Sequence, residues 1–199
     1  MYFFIKPDQA KIQEIISQQS QQNFSYPELG ATKNINKIPS HYNIDHYRIQ
    51  LGSGSACFEK AKRAIKDWKM FDMDWLELCW PHAEIVTGST VGILVRALGL
   101  WSLNVCRVVD VFDKQCQNEA GENIQKFGFA YGSLPEHAES GEERFMIEWN
   151  LTTDEVYYDI MAFSRPQQLL SKLGYFYVRR LQKAFGKASL QAMHRTIQV

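Results

Sequence analysis

The chain has 199 residues, 45% hydrophobic and 22% charged, the make-up of a globular protein long enough to bury a sizeable core. Lysine plus arginine equals aspartate plus glutamate, 22 of each, so no overall charge draws it to nucleic acid or a membrane surface. Its longest apolar stretch, Val91 to Val105, is broken by Arg96 and Asn104 and falls short of the roughly 20 residues of a spanning helix; with no secretory signal at the N-terminus, a soluble protein is expected.

Ile12, Ile15 and Ile16 fall at helical spacing between Asp8 and Gln18, which predicts a short N-terminal helix with a glutamine-rich, frayed end. "FSYPELGATKNINKIPS", Phe24 to Ser40, is dense in Pro, Gly and Asn and reads as an ordered connection. Residues 1–40 thus precede a main domain at 41–199, the two forming one globular unit. A strand is expected around Tyr47 to Leu51. Phe58, Ala61, Ile65 and Trp68 then mark an amphipathic helix from Ser55, its N-cap, to Phe71. "MDWLELCWPH" reads as a second short helix ended by Pro81. Five β-type segments follow, "AEIVTGSTVGILV", "WSLNVCRVVDVFD", "KFGFAYGSL", "ERFMIEWNL" and "EVYYDIMAF", whose short turns imply an antiparallel sheet. A long helix is expected to open at Pro166, with Leu170, Leu173, Tyr177, Leu181, Phe185, Ala188 and Ala192 on one stripe, weakened by Gly174 and Gly186. This order of elements is that of an α+β helix-grip fold, a curved antiparallel sheet wrapped around the C-terminal helix, with an apolar pocket between them.

"FSYPELGAT", "FGFAYGSLPEHAESGEERF" and "IMAFSRP", followed by "RRLQKAFGKASLQAMHR", resemble the domain-of-unknown-function family nineteen-ninety, an uncharacterised protein family (UPF), over about Phe24 to Arg195. Matching positions include Tyr26, Pro27, Gly30, Thr32, Arg107, Gly128, Phe129, Tyr131, Gly132, Leu134, His137, Glu142, Glu143, Phe145, Phe163, Ser164, Arg165 and Pro166. Ser133 stands where the family pattern expects threonine, and Lys114 to Asn123 looks like an insertion forming an exposed loop. The resemblance implies a fold similar to the START and pollen-allergen (SRPBCC) superfamily. Members of that superfamily commonly hold lipids, sterols, polyketides or other hydrophobic molecules, and some are enzymes.

The hairpin "GSLPEHAESGEE" is either a shaped turn whose glutamates pair locally or the site of an acid–base pair, His137 with Glu142 or Glu143. Arg165, at the junction of the last strand and long helix, either grips a ligand anion or pairs with the acidic hairpin. Arg107, among apolar neighbours, needs a partner from protein or ligand. Alternation puts Phe127, Phe129 and Tyr131 on one strand face, where they line the pocket if that face is concave. Lys172, Arg179, Arg180, Lys183, Lys187 and Arg195 make the last helix basic, read as a solvated face that also permits peripheral membrane contact.

Gly52-x-Gly54 lacks the third glycine and the βαβ setting of a dinucleotide site, and His41 and His46 are poor evidence for metal, so no cofactor is expected. Cys57, Cys79, Cys106 and Cys116 form no C-x-x-C pair and read as reduced thiols of a cytoplasmic protein. The leading expectation is a small hydrophobic-ligand (lipid, isoprenoid or polyketide-like) binding protein, oriented by Arg107, Phe129, Tyr131, His137, Phe163 and Arg165. The alternatives are an enzyme for cyclisation, dehydration or hydrolysis, using His137 with Glu142 or Glu143, and an interaction protein docking through its basic helix.

Overall fold

The computed structural model describes residues 1–80 and 83–198. After a two-residue strand, β1 (Tyr2–Phe3), helix α1 (Gln9–Gln19) starts where the Asp8 carboxylate accepts the Lys11 N–H at 2.8 Å. Strand β2 (Asn43–Ser53) leads directly into α2 (Gly54–Lys66), so Ser53 occupies the cap position and Ser55 lies inside the helix. The expected second helix is instead strand β3 (Leu76–Leu78), with Leu76 opposite Val95 and Leu78 opposite Ile93; Pro81 lies outside the described residues.

The remaining strands are β4 (Thr90–Ala97), β5 (Leu100–Gln117), β6 (Asn123–Ser133), β7 (Glu139–Asn150) and β8 (Glu155–Pro166). The segment expected to be an exposed loop is largely strand: Lys114 to Gln117 pair with Lys126 to Asn123, leaving only the residues between to turn. Pro166 closes β8 opposite Glu139, and the C-terminal helix starts later. Gly174 splits that helix into α3 (Leu169–Leu173) and α4 (Tyr175–Gln198).

Among the described residues the strands form one antiparallel sheet ordered β2-β8-β7-β6-β5-β4-β3, with β1 paired to the start of β5. The sheet curls around α4, and the fold is a helix-grip. Alternation gives each strand two duties. On the inner face Phe129, Tyr131, Phe145, Tyr158 and Ile160 pack with Phe58 and Ile65 of α2. On the outer face Leu94, Leu103 and Val105 meet Ile12 and Ile15 of α1, while Phe163 meets Tyr26 and Tyr42 of the N-terminal connection.

Helix α4 reaches the sheet most closely through small residues. Gly186, Ser189 and Ala192 are buried, and the Ser189 hydroxyl lies 2.9 Å from that of Tyr158. A Cβ on Gly186 would stand 2.3 Å from the Tyr47 ring. An alanine in an open helix interior gains about 1 kcal/mol over glycine, but here overpacking reverses the sign. Gly186→Ala is expected to destabilise the protein by about 1–3 kcal/mol, read as a lowered urea midpoint at unchanged slope.

Candidate functional site

Between α3, the N-terminal half of α4 and the inner face of the sheet lies a cavity of about 560 Å³, within the range of small-molecule sites. Phe71, Ile93 and Ile160 wall it from below, and Val178, Leu181 and Phe185 from the helix. Polar groups also reach it: Asp45 and Tyr47 from β2, Asn104 from β5, Tyr131 from β6, His137 from the β6–β7 hairpin, and Gln182 from α4.

Strand β7 brings three glutamates to the edge of the cavity, in three different environments. Glu142 borders the cavity, but its buried carboxylate accepts the Tyr26 hydroxyl (2.9 Å), the Gly30 N–H (2.7 Å), and the Thr32 N–H (3.2 Å) and hydroxyl (2.5 Å). Those four donors fasten the N-terminal connection to the sheet. Gly132 makes room for them, since a Cβ there would meet the Tyr26 hydroxyl at 2.1 Å. Glu143, one residue on, faces inward and accepts the Tyr131 hydroxyl at 2.8 Å. Burial pushes its carboxyl up to about 7 against the opposing effect of that bond, and Asp45 nearby raises it further.

Glu139 is 7% exposed, and burial pushes its carboxyl up to about 7 as well, opposed by bonds from Gln182 and Ser164 and by the Arg179 charge. Its Oε2 accepts the Gln182 amide at 3.1 Å, while Oε1 is buried without a partner. The Gln182 carbonyl in turn accepts from Arg179, which forks onto both oxygens of Asp45 at 2.6 and 2.8 Å. His137 Nδ1 accepts the Glu139 N–H at 2.9 Å, so the ring carries its proton on Nε2. Burial, and then the nearby N-terminal amine, push this histidine down to about 4, leaving it neutral near pH 7.

The cavity therefore brings together Tyr131, His137 and Glu143. Other residues singled out from the sequence are placed elsewhere. Arg107 projects from the outer face, where its guanidinium donates to the Gln19, Ser20 and Gln22 carbonyls at 3.3, 2.7 and 2.9 Å. It thereby caps the C-terminus of α1, whose last turn has no basic residue of its own. Arg165 is also on the outer face, exposed, its guanidinium 5.2 Å from the centre of the Tyr42 ring. Phe129 is fully buried against Trp68 and Phe145, supporting Tyr131 from behind. Phe163 borders the cavity, yet its ring packs edge-on with Tyr26 and Tyr42. His46 bonds the buried Asp159 at 2.7 Å.

Asp45, Glu139 and Gln182 were not evident as site residues. Starting β2 at Tyr47 leaves Asp45 outside the strand, although alternation pairs the two on one face. For Gln182 a signal exists: Val178, Leu181, Gln182 and Phe185 fall at i, i+3, i+4 and i+7.

The raised carboxyls fix a pH dependence. A carboxyl whose folded pKa lies above its unfolded value holds its proton better when folded, so stability falls as pH rises from about 4.5 through about 7. Glu143→Gln removes this ionisation. Relative to the parent, the variant is expected to gain stability between pH 5 and pH 8, measured by urea denaturation at both.

Residues 25–192 match the model of a family described as "Domain of unknown function (DUF1990)". A UPF0548 protein of Dictyostelium discoideum is 35% identical, the alignment covering 99% of this chain and 96% of the relative. A UPF0548 protein of Arabidopsis thaliana is 33% identical over 94% and 93% of the two chains. Among solved structures, a hypothetical protein of Helicobacter pylori superposes with a TM-score of 0.48 at 10% identity, covering 88% of this chain and 96% of its own. By the extent of the family match and the identity to both relatives, the chain belongs to the DUF1990 (UPF0548) family.

Proposed function

We propose that this protein binds a small, largely apolar molecule in the cavity between its sheet and α4. The observation that carries this reading is the cavity itself: about 560 Å³, walled by aromatic and aliphatic side chains from sheet and helix, with a few polar groups reaching it. Tyr131, His137 and Glu143 would orient the ligand, while the outer-face positions of Arg107 and Arg165 leave them structural work. A lipid, isoprenoid or polyketide-like skeleton suits such walls. Four free cysteines suit a reducing compartment such as the cytoplasm.

One observation favours a second reading, an enzyme on the same fold. The Glu143 carboxyl, pushed up to about 7 and paired with a tyrosine, is poised to exchange a proton with a cavity ligand near neutral pH. Glu142, engaged by four donors, and His137, held neutral with Nδ1 occupied, suit that task less. Cyclisation, dehydration or hydrolysis would each use such a group. Loss of turnover in Glu143→Gln with ligand affinity retained would mark catalysis rather than binding.

The binding reading is tested with a neutral fluorescent probe, N-phenyl-1-naphthylamine, beside native mass spectrometry of the purified protein for a co-purifying molecule. Probe emission is expected to rise on binding. Leu181→Trp, which fills the cavity from the helix side, is expected to weaken the probe by about tenfold or more, with far-UV circular dichroism unchanged. Equal binding by parent and variant would remove the cavity from consideration.

A further inference from the structure

The residues bordering the cavity include four carboxyl side chains, Asp45, Glu139, Glu142 and Glu143, and no lysine or arginine among the described residues. Two are already satisfied. Asp45 is neutralised by the Arg179 fork, and Glu142 holds its four donors from the N-terminal connection. Glu143 has one donor, the Tyr131 hydroxyl. Glu139 is nine-tenths buried, with Oε2 bonded to Gln182 and Oε1 buried without a hydrogen-bond partner, which none of the other three carboxyls shows among the described residues.

A buried carboxyl oxygen without a partner is costly, and the cost falls when a donor, above all a charged one, is brought to it. An anionic ligand head would meet only like charge here, with no lysine or arginine bordering the cavity to offset it. Resting on the cavity-binding reading above, we infer that the ligand is an apolar molecule carrying a protonated amine, whose ammonium group binds the carboxyl of Glu139, a residue bordering the cavity. The neutral His137 adds no competing positive charge at the site. Protonation of Glu139 in the empty cavity relieves the unpaired charge, its carboxyl being pushed up to about 7 by burial, and an incoming ammonium displaces that proton. Fatty acids and phosphorylated lipids are the classes this lining rejects.

The test uses the whole protein and three probes of equal chain length, decylamine, decanol and decanoic acid, each displacing N-phenyl-1-naphthylamine at pH 8. Decylamine is expected to bind about tenfold or more tighter than decanoic acid, and tighter than decanol. Glu139→Gln is expected to bring decylamine down to the level of decanol while leaving decanol unchanged. A second readout compares parent and Glu139→Gln: between pH 5 and pH 8 the decylamine affinity rises more steeply in the parent, Glu143 and the N-terminal amine titrating alike in both, and that of decanol stays flat.

The groups around Glu139 in that titration are the Met1 amine, Tyr2 of β1, Asp45 of β2, His137 of the hairpin, Glu143 of β7, Ser164 of β8, and Arg179 and Gln182 of α4. Of these His137 ionises well below the tested range, near 4, and Asp45 is locked to Arg179. Decanoic acid matching decylamine, or an amine preference that survives Glu139→Gln, would overturn the assignment while leaving the cavity reading in place. Failure of all three probes and of the neutral fluorophore would remove both.

Discussion

Successive side chains of a strand leave on opposite sides of the sheet, and in this protein both sides are occupied. The constraint is plainest at Glu142 and Glu143. One carboxyl is drawn outward to tie down the N-terminal connection, and the next is turned inward to the cavity. A slip of one residue in the pairing of β7 would exchange them, burying the saturated anchor in the cavity and exposing the inner aromatic row. Packing on the outer face, where Arg107 caps α1 and Asp159 gathers His46, Arg144 and Arg48, adds to the cohesion of the aromatic core that shares the inner face with the cavity. Asp159 stays ionised there: its carboxyl is held below the usual range because bonds and charges from His46 and Arg144 outweigh burial.

Chemically identical side chains thus behave differently because of what the fold brings to them. Glu142 receives four donors; Glu143 and Glu139 receive few and are pushed toward the protonated form. Spacing along one strand decides which face each occupies, but the donors come from Tyr26, Thr32, Tyr131 and Gln182, far away in the chain. Local sequence alone therefore cannot rank the three glutamates as bases.

Much of the architecture was legible because periodicity was strong: the helical spacing in α1 and α2, the alternating strands β5 to β8, and the apolar stripe of the last helix from Tyr177 on, whereas Leu170 and Leu173, expected on the same stripe, fall in α3 and are exposed. Three residues of β3 were too short for a pattern, and Trp75, Leu76, Leu78 and Cys79 suit a helical turn as well as a strand. Pro166 misled because proline serves at the end of a strand, where its missing N–H takes nothing from the ladder, as readily as at the start of a helix. Tyr131, His137 and Glu143 were visible in one dense hairpin. Asp45, Glu139 and Gln182 form their chain through Arg179 only after the sheet curls under α4, and Arg107 could be placed only once its strand face was known.

The close seat of α4 bears on the cavity. Gly186 and Ser189 seat one half of the helix against Tyr47 and Tyr158 of the sheet, while Val178, Leu181 and Phe185, on the other half, stand across the open space. That second half is tied to the sheet through longer side chains, Arg179 to Asp45 and Gln182 to Glu139, so the helix sits close at one end and is propped away at the other. The height of the cavity is thereby set in part by the close seat at Gly186 and Ser189, and Ser189 does not itself border the cavity. A bulkier residue at Ser189 would lift the helix and deepen that space with every wall residue unchanged.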